Sequence, residues 1–430
     1  MKNRFLLLLF IILPVTATFS QEKDTSLTST ASVTAVQFDP VKATDQYLNS
    51  LTPEEKARSD SYFEGGYWLI LWSMLMEILV AVIFLYFGLS KWIRKISLRA
   101  KKINIQNLVY IAFYVSFAFL ITLPYAFYTG YIREHQYGLS NMNFGEWLKE
   151  TLTQFGLSLL LISFLFMIIY IAIRRTKERW WLWAGGISTA FAILIIYITP
   201  VFIAPLFNNY TELPDGKVKK EILSLARANG IPTQHVYQFD ASKQSKRISA
   251  NVSGMGSTIR ISLNDNLLNK CGPDEIKAVM AHEMGHYVLH HVQKFILDFG
   301  LLFFIGFWLT HITFKRLNRK WGKRWNINGI SDVGGLPLLM VILSFFMFLS
   351  TPITNTISRV SESEADIFGL NAAREPDGFA KVIMKLSDYR KTDPGKWEEI
   401  IFYDHPSART RISMAMHWKA ENLDDPESVE

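Results

Sequence analysis

The sequence predicts a mainly α-helical, polytopic membrane protein with a small soluble α+β part. Three observations predict it. Half of the 430 residues are apolar, and only 19% are charged, below the roughly 25% of ordinary soluble domains. Six apolar runs, at 66–89, 107–128, 156–173, 180–206, 295–314 and 335–355, are each long enough to cross a bilayer as a helix. Aromatic residues reach 14%, as expected where spans end in interfacial Trp and Tyr.

Along the chain, Met1-Lys2-Asn3-Arg4, an apolar stretch from Phe5 to Thr18 and Ser20-Gln21-Glu22 have the layout of a secretory signal peptide over residues 1–20. The alternative is a first transmembrane helix, for which the stretch is short. Residues 21–60 are polar, rich in Ser and Thr and without either period, and read as a flexible extension. Residues 61–206 form an N-terminal transmembrane domain of four spans. Residues 207–418 form a second domain, interrupted by two spans, and 419–430 is a polar tail.

Two spans separate the polar segments 207–294 and 356 onward, so both must lie on one side of the membrane and can share a site. Lys91, Arg94, Lys95, Arg99, Lys101 and Lys102 crowd the first loop, Arg174, Arg175, Lys177 and Arg179 the third, and Lys315, Arg316, Arg319, Lys320, Lys323 and Arg324 the last. The positive-inside rule puts these loops in the cytoplasm and the soluble part outside, with the 129–155 loop, whose only firm cations are Arg133 and Lys149. The net charge of +7 is thus a topology signal; no basic arm with interleaved aromatics points to nucleic acid. A single cysteine, Cys271, excludes an intrachain disulfide and a Cys-based metal site. No base stands at a spacing that would make it a catalytic thiol.

The stretch from Asp274 to Val288 reads as one helix, with Pro273 at its start. In it His282 and His286 stand four apart, so a helix stacks their imidazoles toward one metal ion, and Glu283 projects beside them toward a bound water. Zinc in a hydrolase takes three protein ligands and leaves a fourth position to water, so a third ligand is required. A metzincin pattern would need a histidine ten residues after His282 and a glycine three after His286, but those positions are Val292 and Leu289; His290 and His291 miss the register. The other source is a carboxylate on a later helix, and Ser361-Glu362-Ser363-Glu364-Ala365-Asp366 offers Glu362. Asp366 lies one turn beyond on the same face, where it can accept the outer N–H of a liganding histidine. Glu364 points away and is expected to be solvated. The plain alternatives are surface histidines on a structural helix and an ordinary acidic helix face. Against them, the motif precedes a span and the carboxylates follow on the same side.

With these motifs the chain resembles the type I CAAX prenyl endopeptidase family, membrane-embedded HExxH zinc metallopeptidases of the gluzincin group. The likeness runs from about residue 60 and rests also on Ile203-Ala204-Pro205-Leu206-Phe207, Leu213-Pro214-Asp215-Gly216, Leu263-Asn264-Asp265-Asn266-Leu267-Leu268 and His405-Pro406. It implies one Zn²⁺ on His282, His286 and Glu362, Glu283 as general base, and His405 and Arg411 as groups that bind substrate or stabilise the tetrahedral intermediate. Read unaided, Asp404-His405-Pro406-Ser407 is a turn or helix start and Arg411 a solvated helix residue. The resemblance also marks Asn251, Val252, Ser253 and Gly254 as an edge strand with which a peptide substrate pairs. Ser249 stands where many relatives carry histidine. It implies spans enclosing a chamber, which would suit Glu77, a carboxylate within the first span.

The function expected is therefore water-mediated peptide hydrolysis by an integral protein of a bacterial inner membrane, on a peptide or protein substrate, lipidated or membrane-bound, with no nucleic-acid partner. The family's catalytic domain faces the cytosol, whereas the loop charges place this one outside. The rival functions are a membrane quality-control protease, a non-hydrolytic zinc-bearing scaffold, and a transporter. Against the last, no inverted repeat is visible and intramembrane charge is confined to Glu77 and Asp298.

Overall fold

The computed structural model describes residues 38–254 and 259–422. The expected signal peptide, the first part of the 21–60 segment and the end of the polar tail lie outside the described residues. The described chain begins with α1 (Pro40–Leu48) and α2 (Pro53–Tyr86). Both start on built caps, each with a proline in the first turn. Asp39 accepts from the N–H groups of Val41 and Lys42, and Thr52 and Glu55 exchange hydrogen bonds. The later part of the supposed flexible extension is therefore helical. The correction lies in cap chemistry, which apolar periodicity does not register. Tyr47 donates to Asp377 at 2.9 Å and Asp45 pairs with Arg409 at 3.0 Å, tying α1 to the C-terminal part.

There follow α3 (Leu89–Ser97), α4 (Ile103–Phe127), α5 (Arg133–Gln136), α6 (Phe144–Thr176) and α7 (Trp180–Ile198). By length and composition five helical stretches among the described residues can cross a membrane: Pro53–Tyr86, Ile103–Gln136, Phe144–Leu206, His291–Trp325 and Val333–Ala373. The third holds 63 residues, roughly three times the ~20 that one crossing needs. It doubles back at Lys177, whose φ is 50°, so that α6 and α7 pack together. Helices thus stand at each of the six apolar runs. At most 44% of any apolar window is buried, and Trp72, Leu79, Leu160, Leu194, Leu301 and Leu349 face outward. Water would penalise so broad an apolar surface, whereas lipid solvates it. Inside the bundle Phe84, Ile93, Tyr110, Ile169, Trp180 and Leu339 belong to one core.

The soluble part starts with β1 (Tyr210–Glu212), α8 (Lys217–Ala228), β2 (Val236–Phe239), β3 (Ala250–Ser253), β4 (Arg260–Asn264), α9 (Asp265–Lys270) and α10 (Pro273–Val288). The sheet order is β1-β2-β4-β3, with β2 parallel to β4 and the other pairs antiparallel. Position in that order makes β3 an edge strand. Val236, Ile261 and Leu263 of the sheet pack on Ile222 and Ala226 of α8 and on Ile276, Met280 and Met284 of α10, a second core apart from the membrane bundle.

Two long helices then leave and re-enter this domain: α11 (His291–Trp325) and α12 (Leu336–Ala373), followed by α13 (Pro376–Leu386), α14 (Lys396–Phe402) and α15 (Ala408–Glu421). The last apolar run and Glu362 are parts of one helix, α12, which packs along α10. Two glycines permit the close approach. A Cβ on Gly369 would stand 3.0 Å from the His282 backbone nitrogen, and one on Gly285 would stand 3.2 Å from Ala365 Cα. The two polar segments, distant in sequence, are thereby in contact.

Candidate active site

Pro273 presets the first turn of α10, and Glu275 Oε2 accepts the N–H of Gly272 at 2.6 Å. One stripe of the helix then enters the soluble core, and the spacing of four stacks His282 on His286, with their Nε2 atoms 3.2 Å apart. From α12, Glu362 brings Oε2 within 3.3 Å of His282 Nε2 and Oε1 within 3.5 Å of His286 Nε2. A ligand atom from each of the three lies within 4.8 Å of the others. His282 and Glu362 are buried, and Glu362 Oε2 has no hydrogen-bond partner. A buried carboxylate with one orphaned oxygen, facing two converging ring nitrogens, is a donor set that a divalent cation completes, so these residues fit a metal.

Asp366, one turn beyond Glu362 and fully buried, sits 2.8 Å from His282 Nδ1. The same carboxylate accepts both arms of Arg411, Nε at 2.8 Å and Nη2 at 2.5 Å. Arg411 is only 5% exposed, so the unaided reading of a solvated arginine is overturned. A guanidinium fork matched to a carboxylate stays in the interior because each neutralises the other. His405 Nε2 lies 3.4 Å from Glu362 Oε2, and its Nδ1 is 2.8 Å from Asp404 Oδ1.

His282, Glu283, His405 and Arg411 line one cavity of about 220 Å³, walled on the apolar side by Val279, Phe379 and Ile383. From the sheet side the wall is Ile248, Ser249 and Ala250, at the start of the edge strand. Asn251, Val252 and Ser253 continue the edge in register with Ser262, Ile261 and Arg260, and Gly254 follows with a φ of 95°. A larger cavity of about 840 Å³ shares Ile248 and Tyr389 with the first and is lined by Arg58, Lys246, Lys270 and Lys385 among others.

Burial pushes the Glu283 carboxyl up to about 7, with the His282 charge opposing it. Burial draws His282 down, but the Asp366 and Glu362 carboxylates outweigh it and hold the ring above its ordinary range. Burial and the nearby His282 charge lower His286 to about 4, leaving it a neutral ring. Cys271 is free, and burial, aided by Glu275, pushes its thiol up to about 11, the reverse of a reactive thiolate.

Two further residues gather at the site. His291, 1% exposed, places Nδ1 2.9 Å from His286 Nδ1 and Nε2 3.0 Å from Glu364 Oε2. Glu364, expected to be solvated, is partly exposed yet held by this contact and by Lys294 Nζ at 2.6 Å. The signal was the His290-His291 pair directly beyond the helix, tested only against the metzincin register.

Residues 212–419 match the model of peptidase family M48. Residues 40–209 match the CAAX prenyl protease N-terminal region, described as five membrane helices; α2, α4, α6 and α7 are the long apolar ones here. The chain is 30% identical over 383 residues to YhfN of Bacillus subtilis, described as an uncharacterized metalloprotease, covering 88% of this chain and 89% of that one. CAAX prenyl protease 1 of Saccharomyces cerevisiae is 28% identical over 363 residues, 80% of this chain and 77% of the relative. The crystal structure of Ste24p from S. mikatae superposes with a TM-score of 0.72 at 22% identity, over 88% of this chain and 95% of that chain, a likeness of fold.

Proposed function

The chain belongs to the type I CAAX protease family within peptidase family M48, and from that premise we propose a zinc endopeptidase in which His282, His286 and Glu362 hold the metal and Glu283 is the general base. As a member of that family it is an integral, multi-pass membrane metalloprotease with peptide or protein substrates. The observation that carries the finer reading is the convergence of two Nε2 atoms on the two oxygens of the buried Glu362 carboxylate, one of them without a hydrogen-bond partner, with Glu283 on the same cavity.

A zinc ion in that donor set would supply Lewis acidity toward water and the scissile carbonyl. Glu283, half-buried on the cavity wall and with its carboxyl pushed up to about 7, takes a proton from the attacking water and returns it to the leaving amine. Asp366 holds His282 by its outer nitrogen, so that Nε2 stays turned inward. His405, steadied at Nδ1 by Asp404, and Arg411 on the cavity wall offer positive hydrogen atoms to the developing oxyanion. Losing one donor in such a role costs about 3 to 4 kcal/mol of barrier. The edge at Asn251–Gly254 gives an extended peptide a strand to pair with. The yeast relative is named for prenylated substrates, and by that likeness we extend the substrate class to peptides carrying a lipidated cysteine.

Hydrolysis of a quenched fluorescent peptide, with and without a farnesylated cysteine, by detergent-purified wild type and Glu283→Gln tests this reading, alongside metal analysis. The wild type should contain about one zinc per chain. The variant should keep the zinc and lose about 10²- to 10⁴-fold in turnover. Equal cleavage by Glu283→Gln would remove Glu283 as base, and equal cleavage of both peptides would remove the lipid requirement.

A further inference from the structure

We infer that His291 is a positioning residue for His286, orienting that ring through a hydrogen-bonded chain that ends on Glu364. The inference rests on the metal reading above, because it concerns the nitrogen of His286 that faces away from the donor set.

Proton placement decides the chain. An imidazole that offers Nε2 to a metal carries its proton on Nδ1, and that N–H must donate to something. The group opposite His286 Nδ1 is His291 Nδ1 at 2.9 Å, which therefore accepts. A neutral His291 that accepts at Nδ1 bears its proton on Nε2, and Nε2 points at Glu364 Oε2, 3.0 Å away. The carboxylate is held in turn by Lys294 Nζ at 2.6 Å. With both rings neutral, this is the one arrangement that satisfies every contact. It also leaves His286 Nε2 unprotonated toward His282 and Glu362.

Backbone and burial serve the same end. His290, directly before α11, adopts a left-handed conformation, φ 58°, unusual for a residue with a Cβ. The reversal sets His291 at the first position of α11, folded back beneath His286 with ring centroids 5.0 Å apart. At 1% exposure water cannot substitute for either hydrogen bond. The two imidazoles thus receive parallel support from α12: Asp366 reaches His282 directly, while Glu364, on another side of the helix, reaches His286 through His291. A histidine that merely fills space would need neither the aligned nitrogens nor the carboxylate.

The test uses the purified full-length protein and reads zinc transfer to a chelator and the visible spectrum of the Co²⁺-substituted form. His291→Phe keeps the ring volume and removes both hydrogen bonds. It should speed zinc loss by about 10- to 100-fold and shift the Co²⁺ bands. His291→Gln, whose amide can accept from His286 and donate to Glu364, should restore most of the wild-type rate and spectrum. If His291→Phe does not fold, Glu364→Leu, at a partly exposed position, should still hasten zinc loss several-fold. Wild-type zinc retention and spectrum in folded His291→Phe, or in Glu364→Leu, would overturn the inference. A wild type that takes up no zinc, with His286→Ala indistinguishable from it, would instead overturn the metal reading itself.

Discussion

At the residue scale, Asp366 serves two partners from one buried carboxylate, His282 and Arg411, and this sets the cost of losing it. Asp366→Asn would leave the Arg411 charge buried and unmatched, a change that costs about 3 to 5 kcal/mol. We expect a lowered melting temperature and roughly 10- to 100-fold weaker zinc binding, measured by thermal denaturation and chelator competition. An unchanged melt would mean that Arg411 has another acceptor. The same carboxylates set a pH dependence. In the metal-free chain His282 is held above its ordinary range, hence as imidazolium near neutrality, and Glu283 holds its proton up to about 7. On the proposed site zinc would have to displace the His282 proton and would favour the ionised Glu283, so its binding should tighten as pH rises and weaken as pH falls. The rise in melting temperature on adding zinc should therefore be larger at pH 8 than at pH 6. Equal rises would show that neither the His282 nor the Glu283 proton is displaced on binding. The histidine pair and Glu283 were legible because ligand spacing on one helix is a local pattern. Arg411 was not, because its acceptor lies 45 positions away in the chain.

At the scale of elements, the site depends on how closely α10 and α12 approach. Gly369 faces the His282 backbone and Gly285 faces Ala365, so neither position has room for a side chain. Gly369→Ala should push the helices apart, destabilise the protein by about 1 to 3 kcal/mol and reduce zinc content, because Glu362 rides on the displaced helix. Thermal denaturation with metal analysis checks this. Full zinc content in the variant would show that α12 can slide without losing Glu362. The apolar runs were readable in sequence, yet the helices extend well past them. The lipid-facing run and Glu362 of α12 form one rod, and α11 starts within hydrogen-bond reach of the site. Hydropathy marks where lipid begins; it carries no mark for where a helix stops.

At the scale of the whole molecule, the three basic loops meet at one end of the bundle. Arg94 pairs with Asp332, Lys315 with Glu178, and Arg174 bonds Asn104. Clustered cations on one side of a membrane are a cytoplasmic signature, and on that rule we propose that the catalytic part lies outside. Alkaline phosphatase fused to the C-terminus should accordingly be active in intact cells. An inactive fusion would place the catalytic part in the cytosol. In the described part of the 21–60 segment, residues 38–60, the structure holds helix where the sequence suggested a flexible extension. There α1 and the start of α2 are held by caps and by contacts such as Tyr47 to Asp377, 330 positions apart.

By itself the sequence determined the six apolar helices, the shared side of the two polar segments, and the His282-Glu283-His286 helix with Glu362 and Asp366 to follow. Each is a matter of contiguous hydropathy, loop order or spacing within one helix. Tertiary structure alone decided that Glu362 reaches the histidines, that Arg411 is buried against Asp366, that His291 folds back under His286, and that the edge strand borders the cavity. Those outcomes depend on helix approach distances and chain reversals, which arise from packing between elements far apart in the chain and leave no periodic trace in it.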